Sequence, residues 1–250
     1  MKLLNKSVLI TGAAGGIGSA VAKMCAEEGA SVYLLDLDGE KGKELEISLK
    51  NSGYSVKFIK VDVTSEEDWK QAAETVLQEN ERIDVLVNNA GINIRHDIDE
   101  MTVVEWDKMM KVNIGSVFLG IKTVLPHMRL QQSGSIVNMS SVCGLVGHKY
   151  TNEAYTASKG AITLLTKSVA VRNAKYGVRV NSVHPSTVNT PFVQKVFKDP
   201  KKKQERLDEV PLGRLASVDD VAKSILFLAS SDSEFLNGVS LPVDGGVTAY

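Results

Sequence analysis

Apolar and β-branched residues come in short runs along this chain: SVLIT at 7–11, SVYLLD at 31–36, VKFIKVDV at 56–63, IDVLVNN at 83–89, GSIVNMSS at 134–141, VRVNSVHP at 178–185 and VSLPVDGG at 239–246. Most of the gaps between them are filled by stretches whose apolar positions recur at helical spacing. Runs this short read as strands and the intervening stretches as helices. The strand cores are apolar at successive positions, the pattern of strands buried on both faces. Strands and helices alternating in this way predict an α/β fold, a doubly wound parallel sheet with helices on both faces. In such a sheet ligands sit beyond the carboxyl ends of the strands, so the residues that follow each run carry the functional information.

No internal repeat, low-complexity tract or linker divides the chain, and residues 1–250 are expected to form a single domain. One segment departs from the alternation, NTPFVQKVFKDPKKKQERLDEVPLG at 189–213. Polar, proline-bounded and inserted between two strands at the ligand end, it is expected to act as a substrate lid.

Composition narrows the partners. With 43% hydrophobic residues, 24% charged residues and a formal net charge of -1, the chain reads as a soluble protein with no single-sign surface for nucleic acid or anionic membrane. The N-terminal stretch contains Asn5 and Lys6 and lacks the cleavage pattern of a secretory leader, and no apolar run is long enough to cross a bilayer. Two cysteines, Cys25 and Cys143, cannot form a disulfide framework, and four scattered histidines give no metal-ligand spacing. A cytoplasmic protein acting on small neutral molecules is the expectation. The glycosylation-type triplet at Asn138 lies in an apolar strand and is read as coincidence.

The first strand runs into TGAAGGIG, residues 11–18. Glycines at 12, 16 and 18 permit a tight turn and let backbone amides and a helix N-terminus approach a pyrophosphate. The second strand ends on Asp36, whose carboxylate suits the two hydroxyls of an adenosine ribose and repels a 2′-phosphate. No basic residue occupies Ala13, Ala14 or Leu37, so NAD is expected rather than NADP.

Four further motifs follow in order: NNAG at 88–91, Asn113 in KVNIGSVFLG, SIVNMSS ending at Ser141, and Tyr155 with Lys159 four residues on. Together with the glycine loop they resemble the short-chain dehydrogenase/reductase family over essentially the whole chain. The resemblance implies a seven-stranded Rossmann sheet, a nicotinamide cofactor and a tetrad of Asn113, Ser141, Tyr155 and Lys159. It also implies cofactor contacts at Gly12, Gly16, Ile17, Gly18, Asp36, Leu37, Asp62, Val63, Asn89, Ala90, Gly91, Tyr155, Lys159, Pro185, Val188 and Thr190. Asn113 is implied as a residue that distorts its helix and holds a water linking Lys159 to solvent. The family assembles as homotetramers, which here would use the helices around 102–125 and 154–174 and the last helix and strand.

The residue types make chemical sense on their own. Interconverting an alcohol and a ketone needs a group that takes and returns the hydroxyl proton. A phenol with an ordinary pKa of about 10 is poorly matched to that task until a cation lies beside it. One helical turn places Lys159 on the same face as Tyr155. Ser141 can donate to the substrate oxygen; its neighbour Ser140 must point to the opposite face. The intervening Ser158 is read only as a small spacer, and His184 and the tryptophans Trp69 and Trp106 as structural or partial core. His148, Lys149 and Tyr150 are candidate substrate contacts that serve equally well as plain surface residues.

Two features depart from the family pattern. Ser186 stands where a glycine is usual, and the loop between Ser141 and Tyr155 is one residue longer than common. Within the family, FLGIKTVLPHM, NSVHPSTVNTPF and DGGVTAY resemble dehydrogenases of cyclic or terpene-like alcohols, such as cyclopentanol and carveol dehydrogenases, and R-specific alcohol dehydrogenases. The reading is therefore an NAD-dependent secondary-alcohol dehydrogenase. A 3-oxoacyl-carrier-protein reductase and a non-catalytic dinucleotide-binding regulator are the rivals.

Overall fold

The computed structural model describes residues 1–197 and 199–250; Lys198, inside the expected lid, lies outside the described residues. Sixteen strands and longer helices follow one another as β1 (Ser7–Thr11), α1 (Gly16–Glu27), β2 (Ser31–Asp36), α2 (Gly39–Asn51), β3 (Val56–Lys60), α3 (Glu66–Asn80), β4 (Val85–Asn88), α4 (Val103–Met110), α5 (Ser116–Gln131), β5 (Gly134–Met139), α6 (Glu153–Asn173), β6 (Val178–Pro185), α7 (Pro191–Val196), α8 (Pro200–Asp208), α9 (Val218–Ala229) and β7 (Ser240–Val243). The seven strands form one sheet in the order β3-β2-β1-β4-β5-β6-β7, with every pair parallel. The chain builds outward from β1 to β3, then crosses back to place β4 on the other side of β1. The crevice between β1 and β4 is the place where loops diverge and a ligand fits.

Successive residues of a strand point to opposite faces, and β1 shows what each face needs. Val8 and Ile10 join Val21, Cys25, Val221 and Ile225 beneath α1 and α9. Leu9 joins Trp69, Val117, Val124 and Ile162 beneath α3, α5 and α6. Both faces are thus buried under helices, as the unbroken apolar runs predict. Trp69 is fully buried, with its indole N–H donating to the Val63 carbonyl at 3.0 Å, whereas Trp106 is a surface residue at 36% exposure rather than core.

Several strands end earlier than their apolar runs. The runs from 56, 83, 134 and 239 extend to 63, 89, 141 and 246, yet the strands stop at Lys60, Asn88, Met139 and Val243. In each case the surplus residues leave the sheet for the ligand end: Asp62 accepts from the Thr64 amide, Ser141 from the Cys143 amide and Asp244 from the Gly246 amide. Short polar side chains that bond nearby backbone compete with the ladder and end the strand.

The buried interior of the sheet contains a polar chain. Asn88 on β4 donates to the Asn138 carbonyl oxygen at 2.9 Å, and the Asn138 amide donates to Thr166 on α6 at 2.9 Å. Asn138 is fully buried, so its glycosylation-type triplet is sterically closed in the fold. Replacing Asn138 by Ala should lower the unfolding free energy by about 2–3 kcal/mol, since it leaves the Asn88 amide without its acceptor and opens a small void. Chemical denaturation should show the loss as a lower midpoint at constant slope.

Candidate active site

The glycine loop joins β1 to α1 over the crevice. A Cβ at Gly18 would lie 2.1 Å from the Gly12 carbonyl oxygen, so only glycine lets the helix start this close to the turn. Asp36 holds the loop from the side, accepting from the Ala14 amide at 2.9 Å and from the Asp38 amide at 3.0 Å. A carboxylate accepts about four bonds, so capacity remains for two ribose hydroxyls. Leu37, beside it, is exposed.

The start of α1 differs from those of seven other helices; α5, which also lacks a capping side chain, continues directly from a preceding helical turn. Asp38, Ser65, Thr102, Asn152, Thr190, Asp199 and Ser217 each cap a helix with a side-chain oxygen, while α1 begins at Gly15 with no capping side chain and no acid in its first turn. Its first amides and the positive end of its dipole are left for an anion. The donor set of this loop therefore fits a dinucleotide pyrophosphate, with Gly16, Ile17 and Gly18 as the residues that would hold it.

The expected contacts after β3 and β4 are partly committed to the fold. One Asp62 oxygen accepts from both the amide and the hydroxyl of Thr64, each at 2.8 Å, and the Val63 carbonyl is taken by Trp69. The Asn89 amide nitrogen donates to the Thr11 and Gly12 carbonyls at 2.9 and 3.1 Å, while Thr11 Oγ1 accepts from the Asn89 and Ala90 amides. These residues brace the floor of the crevice. At Gly91 a Cβ would stand 3.3 Å from Asn113 Oδ1 and 3.5 Å from Lys159 Nζ, so the missing side chain is what lets those two groups approach.

Between α4 and α5 the helix widens into a π-helical turn, Lys111–Gly115, and Asn113 at its centre is fully buried. Asn113 accepts from the Ile92 amide at 2.8 Å and donates to the Ile92 carbonyl at 3.0 Å and to Ser158 Oγ at 3.0 Å. Ser158 in turn donates to the Tyr155 carbonyl at 2.7 Å. Ser158 is thus more than the small spacer expected from the sequence: it links Asn113 to the backbone of Tyr155.

Helix α6 presents Tyr155 and Lys159 on one face. Asn152 caps it, accepting from the Tyr155 amide at 2.8 Å while its own amide donates to Asn93 and to the Ile94 carbonyl, both at 2.8 Å. Sequence reasoning left Asn152 aside; an Asn just before a helix signals a cap, but its bonds to the 93–94 loop depend on the fold. Lys159 Nζ lies 5.4 Å from the Tyr155 ring centroid and donates to the Met139 carbonyl at 2.9 Å. Burial lowers the Lys159 pKa to about 8 and pushes the Tyr155 phenol above its ordinary value; a hydrogen bond with Ser141 opposes that rise. In the protein alone, then, desolvation outweighs the help expected from the lysine.

Ser141 is extended at the end of β5 and lies in the cleft wall, while Ser140 points away and donates to the Lys159 carbonyl at 2.9 Å. Tyr155 and Ser141 share a cleft of about 580 Å³ with Asn93, Cys143, Tyr150 and Phe197. Pro185, Ser186, Val188 and Thr190 close the side facing α1. The Pro185 carbonyl lies 3.5 Å from Ser141 Oγ, Val188 is buried, and the Thr190 methyl lies 3.4 Å from where a Gly16 Cβ would stand. Ser186 Oγ is buried there without a partner.

One side of the cleft carries Arg206 and His148, which meet Tyr150 and Glu209. Arg206 on α8 donates to the Tyr150 carbonyl at 2.9 Å and lies 4.3 Å over that ring, and Glu209 pairs with Arg206 at 3.2 Å and His148 at 3.4 Å. Among the described residues no group of three His, Cys, Asp or Glu side chains could hold a metal ion, and no helix is long and apolar enough to cross a membrane.

A glycine loop at the switch point of a parallel sheet lies beside a buried lysine, a tyrosine and a serine, the arrangement the sequence leads one to expect of a nicotinamide-dependent oxidoreductase. Comparison with known proteins agrees. A family model described as enoyl-(acyl carrier protein) reductase matches residues 12–248. Cyclopentanol dehydrogenase of Comamonas sp. (strain NCIMB 9872) is 42% identical over 245 residues, spanning 98% of each chain. The 3-oxoacyl-[acyl-carrier-protein] reductase FabG of Thermotoga maritima is 40% identical over 249 residues, spanning 99% of each. The crystal structure of gox2181 superposes with a TM-score of 0.97 at 31% identity, covering 100% of this chain and 98% of that one. The chain belongs to the short-chain dehydrogenase/reductase family, whose enzymes use nicotinamide dinucleotides.

The lowered Lys159 pKa has a measurable consequence. An unfolded lysine titrates near its ordinary pKa of about 10.4. Between pH 8 and that value the unfolded chain therefore binds a proton that the native protein has released, and stability rises with pH. Without cofactor, the melting temperature of the protein should rise relative to that of Lys159→Met as pH goes from 8 to 10. Parallel pH curves for the two proteins would contradict the burial of an uncompensated ammonium.

Proposed function

We propose that the protein is an NAD(H)-dependent oxidoreductase that interconverts a small neutral secondary alcohol and its ketone, with a cyclic alcohol as the favoured substrate. The observation that carries the reading is that Ser141 and Tyr155 line one cleft beside the glycine loop, with the buried Lys159 next to the Tyr155 ring. In this reading Ser141 donates to the substrate oxygen and fixes it against the phenol. Tyr155 takes the hydroxyl proton in oxidation and returns it in reduction. Lys159 supplies the positive charge that favours the phenolate, and Asn113 holds the backbone that places both. The bound dinucleotide supplies the hydride acceptor or donor.

The cofactor choice rests on Asp36 at the end of β2. Its carboxylate faces the loop with Leu37 beside it, and the nearby Lys41 is already paired with Asp38 at 2.6 Å, which leaves that cation committed elsewhere. A carboxylate at this position opposes a 2′-phosphate. This weighs against the 3-oxoacyl-carrier-protein reductase reading. A neutral substrate is favoured at this part of the wall because Arg206 is paired with Glu209 and burial lowers the His148 pKa, which keeps that ring uncharged near pH 7. The similarity to cyclopentanol dehydrogenase, and the cleft's size, favour a ring. Residues 189–213 act as the lid, clasped to the 144–152 loop through Arg206. A non-catalytic regulator would have no use for the buried lysine.

The test is a panel of cyclic and acyclic secondary alcohols and ketones with NAD(H) and NADP(H), read by absorbance of the reduced nicotinamide. Turnover should favour NAD by about tenfold or more, since one unit of charge repulsion of 1.4 kcal/mol already gives that ratio. Tyr155→Phe should lose turnover by at least about a thousandfold and still bind NADH, as read by its fluorescence. Retained turnover in that variant would remove the mechanism, and a preference for NADP would remove the Asp36 argument.

Two buried free cysteines, one of them with its thiol pushed up to about 12 by burial, suit a reducing cytoplasm. A homotetramer is supported by apolar side chains left exposed on α5 and α6, among them Phe118 at 52%, Leu164 at 69% and Val171 at 79%. Light scattering should give about four times the 27.0 kDa chain mass, and a monomer at micromolar concentration would contradict it.

A further inference from the structure

His184 was expected to be merely structural, but its surroundings are more specific than packing requires. It lies near the end of β6, fully buried, and both ring nitrogens are occupied. Nδ1 is 2.9 Å from the Ser141 carbonyl oxygen and Nε2 is 2.8 Å from Ser182 Oγ. A carbonyl oxygen only accepts, so Nδ1 must carry the proton. In the neutral ring Nε2 is then a lone pair, and the Ser182 hydroxyl, which also lies 3.3 Å from the Val239 carbonyl, donates to it across the shorter contact. Burial lowers the pKa of His184 and Lys159 adds to that direction, so the ring is neutral near pH 7.

The bonded carbonyl belongs to Ser141 itself. Ser141 leaves β5 fully extended, with φ -165° and ψ 163°, and immediately starts a 3-10 turn, Val142–Gly144. Its hydroxyl has weak local restraint: it accepts from the Cys143 amide at 3.3 Å and lies 3.5 Å from the Pro185 carbonyl. The Ser141 carbonyl accepts from the Gly144 amide at 2.8 Å and from His184 at 2.9 Å; both bonds are shorter than those of the hydroxyl, and together they fix the peptide plane following Ser141. Rotation of that plane would swing the serine hydroxyl relative to Tyr155.

We infer that His184 is a positioning residue for the reaction: its Nδ1–H, held in that tautomer by Ser182, acts with the Gly144 amide to lock the Ser141 peptide so that the hydroxyl meets the substrate oxygen in line with the Tyr155 phenol. The inference rests on the proposed alcohol–ketone chemistry for its kinetic consequence, and on geometry alone for the tautomer. A misplacement of about 1 Å is enough to cost on the order of a hundredfold in rate.

The two nitrogens can be separated by substitution. An Asn amide nitrogen is attached at Cγ, as Nδ1 is, whereas a Gln amide reaches the position of Nε2. His184→Asn should therefore keep kcat within about threefold, while His184→Gln and His184→Phe lower it by about 10- to 100-fold with little change in KM or in NADH affinity. A residue that only fills space would show the reverse order, with Gln and Phe tolerated better than the shorter Asn, and that result would overturn the assignment. The unmodified protein gives a second readout. With four histidines in the chain, nitrogen-15 chemical shifts of labelled histidine, assigned by His184→Asn, should show the Nδ1–H tautomer for His184. The Nε2–H tautomer or a rapidly averaging ring would refute the contact even if every variant misfolded. Absence of turnover in the unmodified protein with every alcohol tried would count against the proposed reaction and leave the histidine contact to be decided by the nitrogen shifts.

Discussion

The buried ammonium of Lys159 is the constraint around which the rest of the site is arranged. Desolvating a lysine opposes its charge, so it must find oxygen acceptors inside the fold. Within the protein Nζ donates to the carbonyl of Met139, the last residue of β5. The reverse side of the same contact is closed by Ser140, which donates to the Lys159 carbonyl. Strand β5 and helix α6 are thereby held in one register. Ser141, next along the chain, and Tyr155, one turn earlier on the helix, are brought together as a consequence.

How far the molecule was legible in its sequence follows from the range of the forces involved. The sheet and its flanking helices were readable because burial on both faces imposes an apolar run regardless of what lies beyond. Tyr155 and Lys159 were readable because helical spacing is local. Strand ends were overestimated where Asp62, Ser141 and Asp244 divert the backbone, since a short polar side chain and a strand residue look alike until the chain turns. Asn152 was left aside, and Ser158 and His184 were read as a spacer and a structural residue, for a different reason. Each is an ordinary polar residue with a partner 43 or more positions away along the chain, Asn113 for Ser158, Asn93 for Asn152 and Ser141 for His184, and no spacing rule reports such a pairing.

The expected effect of Lys159 on Tyr155 also shows where pattern reading stops. A cation near a phenol lowers its pKa by Coulomb attraction, but the same enclosure that brings them together removes the water that would stabilise either charge. Here desolvation is the larger effect on both groups in the protein alone, raising one and lowering the other. The two shifts move the side chains apart in proton affinity, so in the protein alone the phenol holds its proton more tightly than the ammonium does.

Much of the scaffolding around the reacting groups is main chain. Carbonyls of Ile92, Met139, Ser141 and Tyr155 accept from Asn113, Lys159, His184 and Ser158 respectively. A carbonyl is present whatever side chain its residue bears. Isoleucine and methionine at 92 and 139 can thus be exchanged without disturbing the bonds they provide, while the outer wall depends on matched side chains such as Arg206, Glu209 and His148. The molecule accordingly has two rates of tolerated change built into one cleft: a reaction centre inherited with the topology, and a rim on which a new substrate shape can be selected by altering a few mutually dependent residues.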